Sequence, residues 1–93
     1  MRLRLTLRAA ADIYAIAAYV QDRHPAGARK VEAALQEAFR LIAAYPYVGQ
    51  IRRQGVRRFA VPRHPYLIFY GVDAAAQQIN VLTVRHAARE DVT

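Results

Sequence analysis

Tyr66-Leu67-Ile68-Phe69-Tyr70-Gly71-Val72 is the most strand-like stretch of the chain, and it is apolar on both faces. A strand with that pattern needs cover on each side, which makes it the central strand of a sheet. Its neighbours follow from it. Residues 56–61 and 78–85 read as two further strands. The second is joined to the centre by the short Ala74-Ala75-Ala76 connection, with Asp73 placed to serve the hairpin turn. Three consecutive strands so linked form an antiparallel meander.

Upstream of the meander the period changes. Val31, Leu35, Ala38, Phe39 and Ile42 recur at helical spacing, so a helix is predicted from Pro25 to about Tyr45, ended by Pro46 and Gly49. His24-Pro25-Ala26-Gly27 separates it from an earlier helix over 8–23, whose stripe is Ala9, Ile13, Ile16, Ala17 and Val20. Asp12 is expected to face the dipole in the first turns of that earlier helix. At the N-terminus Arg2-Leu3-Arg4-Leu5-Thr6-Leu7 alternates strictly. It predicts an edge or near-edge strand with Leu3, Leu5 and Leu7 on the buried face. The order is β-α-α-β-β-β, an α+β fold in which a helical hairpin packs on a small antiparallel sheet. One domain over residues 1–93 accounts for the whole chain, with fraying expected only after Arg89.

A chain of 93 residues buries roughly 60–65% of its unfolded surface, which leaves a thin margin of stability. The apolar fraction of 55% includes 19 alanines, so Leu, Ile, Val, Phe and Tyr carry the packing. With no cysteine, disulfides and thiolate metal sites are excluded, in keeping with a reducing compartment. The early apolar run Ile13–Val20 is far short of the ~20 residues of a membrane span, so a cytoplasmic protein is expected.

The formal charge is +7 and the isoelectric point about 10.6. Between Glu37 and Asp73 stand Arg40, Arg52, Arg53, Arg57, Arg58 and Arg63 with no acid among them. Such a block points outward, toward a polyanion or an acidic protein. Arginine outnumbers lysine 13 to 1, which suits bidentate contacts to phosphate or carboxylate. Reversing the charge of Arg57 and Arg58 together should therefore weaken target action more than folding. A solvated basic face is the plainer alternative for any one of these side chains.

Catalytic constellations are sparse. His24, His64 and His86 are too scattered for metal ligation, and no nucleophile has a neighbouring histidine and carboxylate, so neither a metal nor a cofactor is expected. Arginines with His86 would suit a phosphodiester reaction driven by positioning and charge stabilisation. Tyr45 and Tyr47, flanking Pro46, could stack on bases, although packing against the end of the second helix is the simpler reading. A helix-turn-helix is disfavoured, because the second helix has mixed charge and no dense polar row at its start.

Several pieces in order give the chain a family resemblance: Ala11-Asp12-Ile13 with Ile16 and Tyr19, the Pro46-x-x-Gly49 loop, Val61-Pro62 followed by Pro65-Tyr66-Leu67-Ile68-Phe69-Tyr70, and Ile79-x-Val81-Leu82-x-Val84-Arg85-His86-x-x-Arg89. Over almost its whole length the chain resembles the RelE/ParE superfamily of toxins from type II toxin–antitoxin operons. RelE-like members cut mRNA on the ribosome, whereas ParE-like members poison DNA gyrase. RelE-like ribonucleases usually carry a catalytic tyrosine near the C-terminus, and this chain has none after Tyr70. The tail Val84-Arg85-His86-Ala87-Ala88-Arg89 looks like the ParE type. The resemblance therefore implies a gyrase poison neutralised by a cognate antitoxin in a hetero-oligomer, with no bond-breaking chemistry of its own. Its target would be met by Arg52, Arg53, Arg57, Arg58, Arg63, Arg85, His86 and Arg89. The alternative is a ribosome-dependent mRNA interferase, whose reduced catalytic set would be Arg58, Arg63 and His86. A third class is a non-toxic basic module that binds nucleic acid and is sharply salt-sensitive.

Overall fold

A computed structural model describes residues 1–90 of the chain, with side chains through Ala88. The side chain of Arg89 and the expected fraying at the C-terminus lie outside the described residues. The elements are β1 (Arg2–Leu5), α1 (Leu7–Arg23), α2 (Pro25–Ala44), β2 (Gln50–Ile51), β3 (Arg57–Ala60), β4 (Tyr66–Asp73), β5 (Gln78–His86) and α3 (Ala87–Glu90). They form one five-stranded sheet in the order β1-β5-β4-β3-β2, with the apolar β4 in the middle as its composition requires. The β3-β4-β5 meander is antiparallel, and Asp73 serves its second turn by accepting the Ala76 N–H at 3.1 Å.

Two features depart from the expected antiparallel β-α-α-β-β-β arrangement. The sheet is mixed, because β1 lies parallel to β5 with Leu3 opposite Ile79 and Leu5 opposite Val81. The two-residue β2 and the short α3 are additional. Leu7 does not join the buried face of the first strand either. It opens α1 and is 92% exposed, because the strand ends two residues earlier at Leu5, itself 43% exposed at the sheet edge. Thr6 makes that switch. Its N–H continues the ladder to the Val81 carbonyl at 3.1 Å, and its hydroxyl accepts from the Ala9 N–H at 3.1 Å as the helix cap. A cap of this kind contributes ~1 kcal/mol.

Both helical stripes face the sheet. Ala9 of α1 and Val31, Leu35, Ala38 and Ile42 of α2 are buried against Tyr66, Ile68, Tyr70, Ile79, Val81 and Val84. Ile13, Ile16, Val20 and Phe39 pack on the margin of that cluster. His24 is at once the last cap of α1 and the first of α2, with Pro25 at the helix start where a missing N–H costs nothing.

A bulge decides what β5 presents. Tyr70 pairs with Val81 but Phe69 pairs with Thr83, so Leu82 is left over. The extra residue shifts the alternation by one. Val84 consequently turns into the core, and Arg85, opposite Leu67, turns to the face away from the helices.

Asp12 has a different role from the one its position suggested. Its carboxylate accepts from the Thr83 hydroxyl and from the Val84 N–H, the latter at 3.1 Å, and lies 3.9 Å from the Arg8 guanidinium. Beyond Leu5 the edge of β5 has no strand partner in β1, and Asp12 supplies an acceptor there. Asp12→Ala is therefore expected to cost about 1–2 kcal/mol in thermal unfolding, whereas Asp12→Asn keeps an acceptor and loses less. Equal losses in the two variants would show that charge rather than hydrogen bonding holds the contact.

Candidate target-binding surface

The end of α2 leads into a loop held from beneath. Tyr70, buried in the core, accepts the Gly49 N–H at 2.8 Å through its hydroxyl and donates to the Pro46 carbonyl at 2.8 Å. A Cβ at Gly49 would sit 2.6 Å from that hydroxyl, so the close approach needs glycine. Burial pushes the Tyr70 pKa above the ordinary 10.0, and the bond from Gly49 and the nearby Arg57 charge oppose the shift without cancelling it. Arg57 closes the same loop from the side. Its guanidinium donates to the Gly49 carbonyl at 2.8 Å and the Tyr47 carbonyl at 3.1 Å, and lies 5.0 Å from the centre of the Tyr47 ring. The Pro46-x-x-Gly49 spacing is what lets one tyrosine hydroxyl bridge both ends of the loop.

Tyr45 and Tyr47 do not pack the end of the helix as expected. Both are exposed, and Val48 and Ile51 beside them are exposed too, which the sequence did not signal. Arg52 and Arg53 follow in the tight β2–β3 turn. That turn is closed by the Arg52 N–H to Val56 and the Val56 N–H to Arg53, with Gln54 and Gly55 at positive φ. Both arginines are exposed.

The remaining candidates divide among three other places. Arg58 and Arg85 lie on the sheet face away from the helices, in register with Phe69 and Leu67 respectively. Arg58 donates to Gln50 Oε1 at 3.0 Å, and the Arg85 guanidinium stands 5.9 Å from the Phe69 ring centre. By the same register, Arg2 and Arg4 of β1 share this face, Arg2 donating to Gln78 Oε1 at 2.8 Å. Arg63 sits at positive φ in the β3–β4 loop, over a hollow of about 280 Å³ lined by Phe59, Val61 and His64. His86 pairs with Tyr66 on the helix side, edge-on to its ring at 5.6 Å, and its Nδ1 accepts the Ala88 N–H at 3.1 Å.

Arg58, Arg63 and His86 are thus not brought together. Arg58 and His86 stand on opposite faces of the sheet, and Arg63 belongs to a loop. Nδ1 of His86 is engaged by backbone, and no carboxylate is hydrogen-bonded to the ring among the described residues. The same residues hold no group of three or more His, Cys, Asp or Glu able to bind a metal ion. The described residues offer charge and shape, with no acid–base pair among them at one reacting centre.

Comparison with known proteins agrees with this architecture. Residues 3–91 match the family described as ParE toxin of type II toxin–antitoxin system, parDE. The chain belongs to that family. This ParE-family protein is 32% identical over 90 residues to a Sinorhizobium fredii protein named as toxin Y4kP, spanning 96% of this chain and 91% of that one. It is 34% identical over 84 residues to the toxin RelE2 of Caulobacter vibrioides, spanning 90% and 92%. Among solved structures it resembles a chain of the chromosomal ParDE system of P. aeruginosa, with a TM-score of 0.80, 26% identity, and 92% and 95% of the two chains covered. A chain of the RelBE2 toxin–antitoxin complex of Mycobacterium tuberculosis gives a TM-score of 0.63 at 25% identity, covering 91% and 95%. The protein is accordingly a type II toxin of the ParE/RelE family. No helix among its described residues is long and apolar enough to cross a membrane.

Proposed function

We propose that this toxin arrests growth by binding DNA gyrase and stabilising or blocking a gyrase–DNA intermediate, and that a cognate antitoxin neutralises it. The observation that carries the reading is the separation of Arg58, Arg63 and His86. A ribonuclease needs its general acid, base and phosphate clamp within reach of one phosphodiester, and these residues occupy two sheet faces and a loop. No tyrosine follows Tyr70 to complete such a site. The ParE family match and the ParDE likeness at a TM-score of 0.80 support the same choice.

The antitoxin has a natural seat at the opposite edge from the aromatic loop. A hollow of about 800 Å³ runs between β1, α1 and α2, lined by Leu3, Leu5, Ile13, Tyr14 and Phe39 with Arg29 and Glu32 among its polar groups. It adjoins an edge strand, so an extended segment could add to the sheet, or a helical one could lay its apolar face in the hollow. An acidic partner gains further from the +7 charge.

Inducing the chain in bacteria without antitoxin, while following labelled thymidine and labelled methionine, separates the targets. The expected result is that thymidine incorporation falls first, within minutes. If methionine incorporation falls first and primer extension finds cuts inside translated codons, the ribosome is the target. The relatives named RelE2 and RelBE2 make this the rival outcome.

A further inference from the structure

The surface from Tyr45 to Arg53 carries more exposed apolar side chain than the fold requires. Tyr45, Tyr47, Val48 and Ile51 are 64%, 57%, 44% and 58% exposed, side by side in sequence where α2 hands over to β2. Turning the chain from helix to strand needs Pro46, Gly49 and the Tyr70 and Arg57 bonds, and none of those demands a large apolar residue at 45, 48 or 51. The patch is also held still. Gly49 and Pro46 are bonded to a buried hydroxyl, and the Tyr47 and Gly49 carbonyls are bonded to one guanidinium. A surface fixed before binding loses little freedom on docking, and tyrosine with arginine is the pairing that dominates protein interfaces.

Charge and chemistry then select the partner. Arg52 and Arg53 are exposed at the rim, and the sequence from Ala38 to Val72 contains no acid, while Arg40 pairs with Glu37 at 2.8 Å. Val48 and Ile51 have no aromatic face, so base stacking would leave half of the patch unused. An apolar protein surface would cover all of it. We infer that the Tyr45–Arg53 surface docks a protein patch with an apolar centre and an acidic rim on the toxin's target. This rests on the reading above that the toxin acts by binding a protein. The site is distinct from the antitoxin hollow, since β2 and β1 are opposite edges of the sheet.

The test uses the full chain carrying Tyr45→Ser, Ile51→Ser, Arg52→Glu and Arg53→Glu, which leaves Pro46, Tyr47, Gly49, Arg57 and Tyr70 in place. Ile51→Ser alone serves if the combined variant does not fold. Growth arrest, binding to purified gyrase, binding to the purified cognate antitoxin and binding to a short labelled DNA duplex are measured beside the wild type. The expected result is a loss of arrest and of gyrase binding of roughly tenfold or more, with antitoxin binding and melting temperature kept. Unchanged arrest overturns the inference. So does a variant that loses the antitoxin while keeping arrest, or one whose arrest falls in step with DNA binding while gyrase binding is kept. If the wild type does not bind gyrase, the proposed function falls, and arrest alone decides this surface: lost in the variant, the surface stands for another protein target; kept, it does not. A wild-type chain that arrests nothing removes the target and the inference with it.

Discussion

Gly49→Ala is expected to destabilise the fold by roughly 2–3 kcal/mol and to lower the melting temperature by roughly 10–20 °C. The added methyl would stand 2.6 Å from the Tyr70 hydroxyl, 2.8 Å from Cε1 and 3.0 Å from Cζ. Tyr70 cannot retreat, because its ring is fully buried in the core beneath the loop. The usual gain of ~0.4–1 kcal/mol from replacing glycine by alanine is too small to offset that collision. Tyr70→Phe removes the nearest of the three atoms but strands the Gly49 N–H and the Pro46 carbonyl, at a cost of ~1–3 kcal/mol by itself. Combined, the two changes should cost clearly less than their sum, since the phenylalanine relieves part of the alanine's clash. Strict additivity in the double-mutant cycle would sink the assignment.

The same hydroxyl sets an alkaline limit. Burial first, against the opposing Gly49 bond and Arg57 charge, holds the Tyr70 pKa above 10.0 in the folded chain. The unfolded chain therefore releases this proton at lower pH than the folded one. Stability from this group is intact below pH 10.0 and falls as pH rises through the raised value. Tyr70→Phe should remove that part of the alkaline decline, read as melting temperature against pH.

The fold was legible wherever a pattern ran long enough to repeat. The two helical stripes and the apolar run at 66–72 formed where they were read, and the alternation from Arg2 formed a strand that stops at Leu5 instead of Leu7. What the sequence hid was set by contacts between distant residues. Parallel pairing of β1 with β5 joins the two ends of the chain, and no local signal separates it from an antiparallel one. β2 has two residues, too few for any period. The Leu82 bulge looks like one more apolar residue in a strand, yet it determines which face Arg85 and His86 occupy.

The candidate site was less legible than the fold, for a related reason. Charge patterning identified an arginine block but could not say which members were committed inward. Tyr70 reads as core by composition, and only its hydroxyl shows that the core tyrosine also fixes a surface loop. Asp12 reads as a helix-dipole residue because its true partners, Thr83 and Val84, lie at the other end of the chain. The apolar half of the surface, Val48 and Ile51, carries no polar motif by which to notice it.

Arg57→Glu is the second change with a large expected effect, and it separates holding the loop from presenting it. Charge reversal removes the two bonds to the Tyr47 and Gly49 carbonyls and sets a carboxylate against those same oxygens. Bonds from a charged donor are worth ~1.5–3 kcal/mol each, and partial exposure places these at the lower end, so a loss of roughly 3 kcal/mol is expected. Arg52→Glu with Arg53→Glu changes the net charge by twice as much at exposed turn positions, where substitutions usually stay within ~0.5 kcal/mol. Thermal melts should therefore fall steeply for Arg57→Glu and hardly at all for the turn pair, while both weaken growth arrest. The earlier expectation that Arg57 and Arg58 would act together on the target is replaced by this division, since Arg57 reaches inward to the loop and Arg58 lies on the other sheet face. Both bonds leave one guanidinium nitrogen, so Arg57→Lys, which keeps the charge and can donate twice from a single ammonium, should recover part of the stability. If Arg57→Glu melts with the wild type yet abolishes arrest, Arg57 presents its charge to the target directly, and Tyr70 alone holds the 45–49 loop.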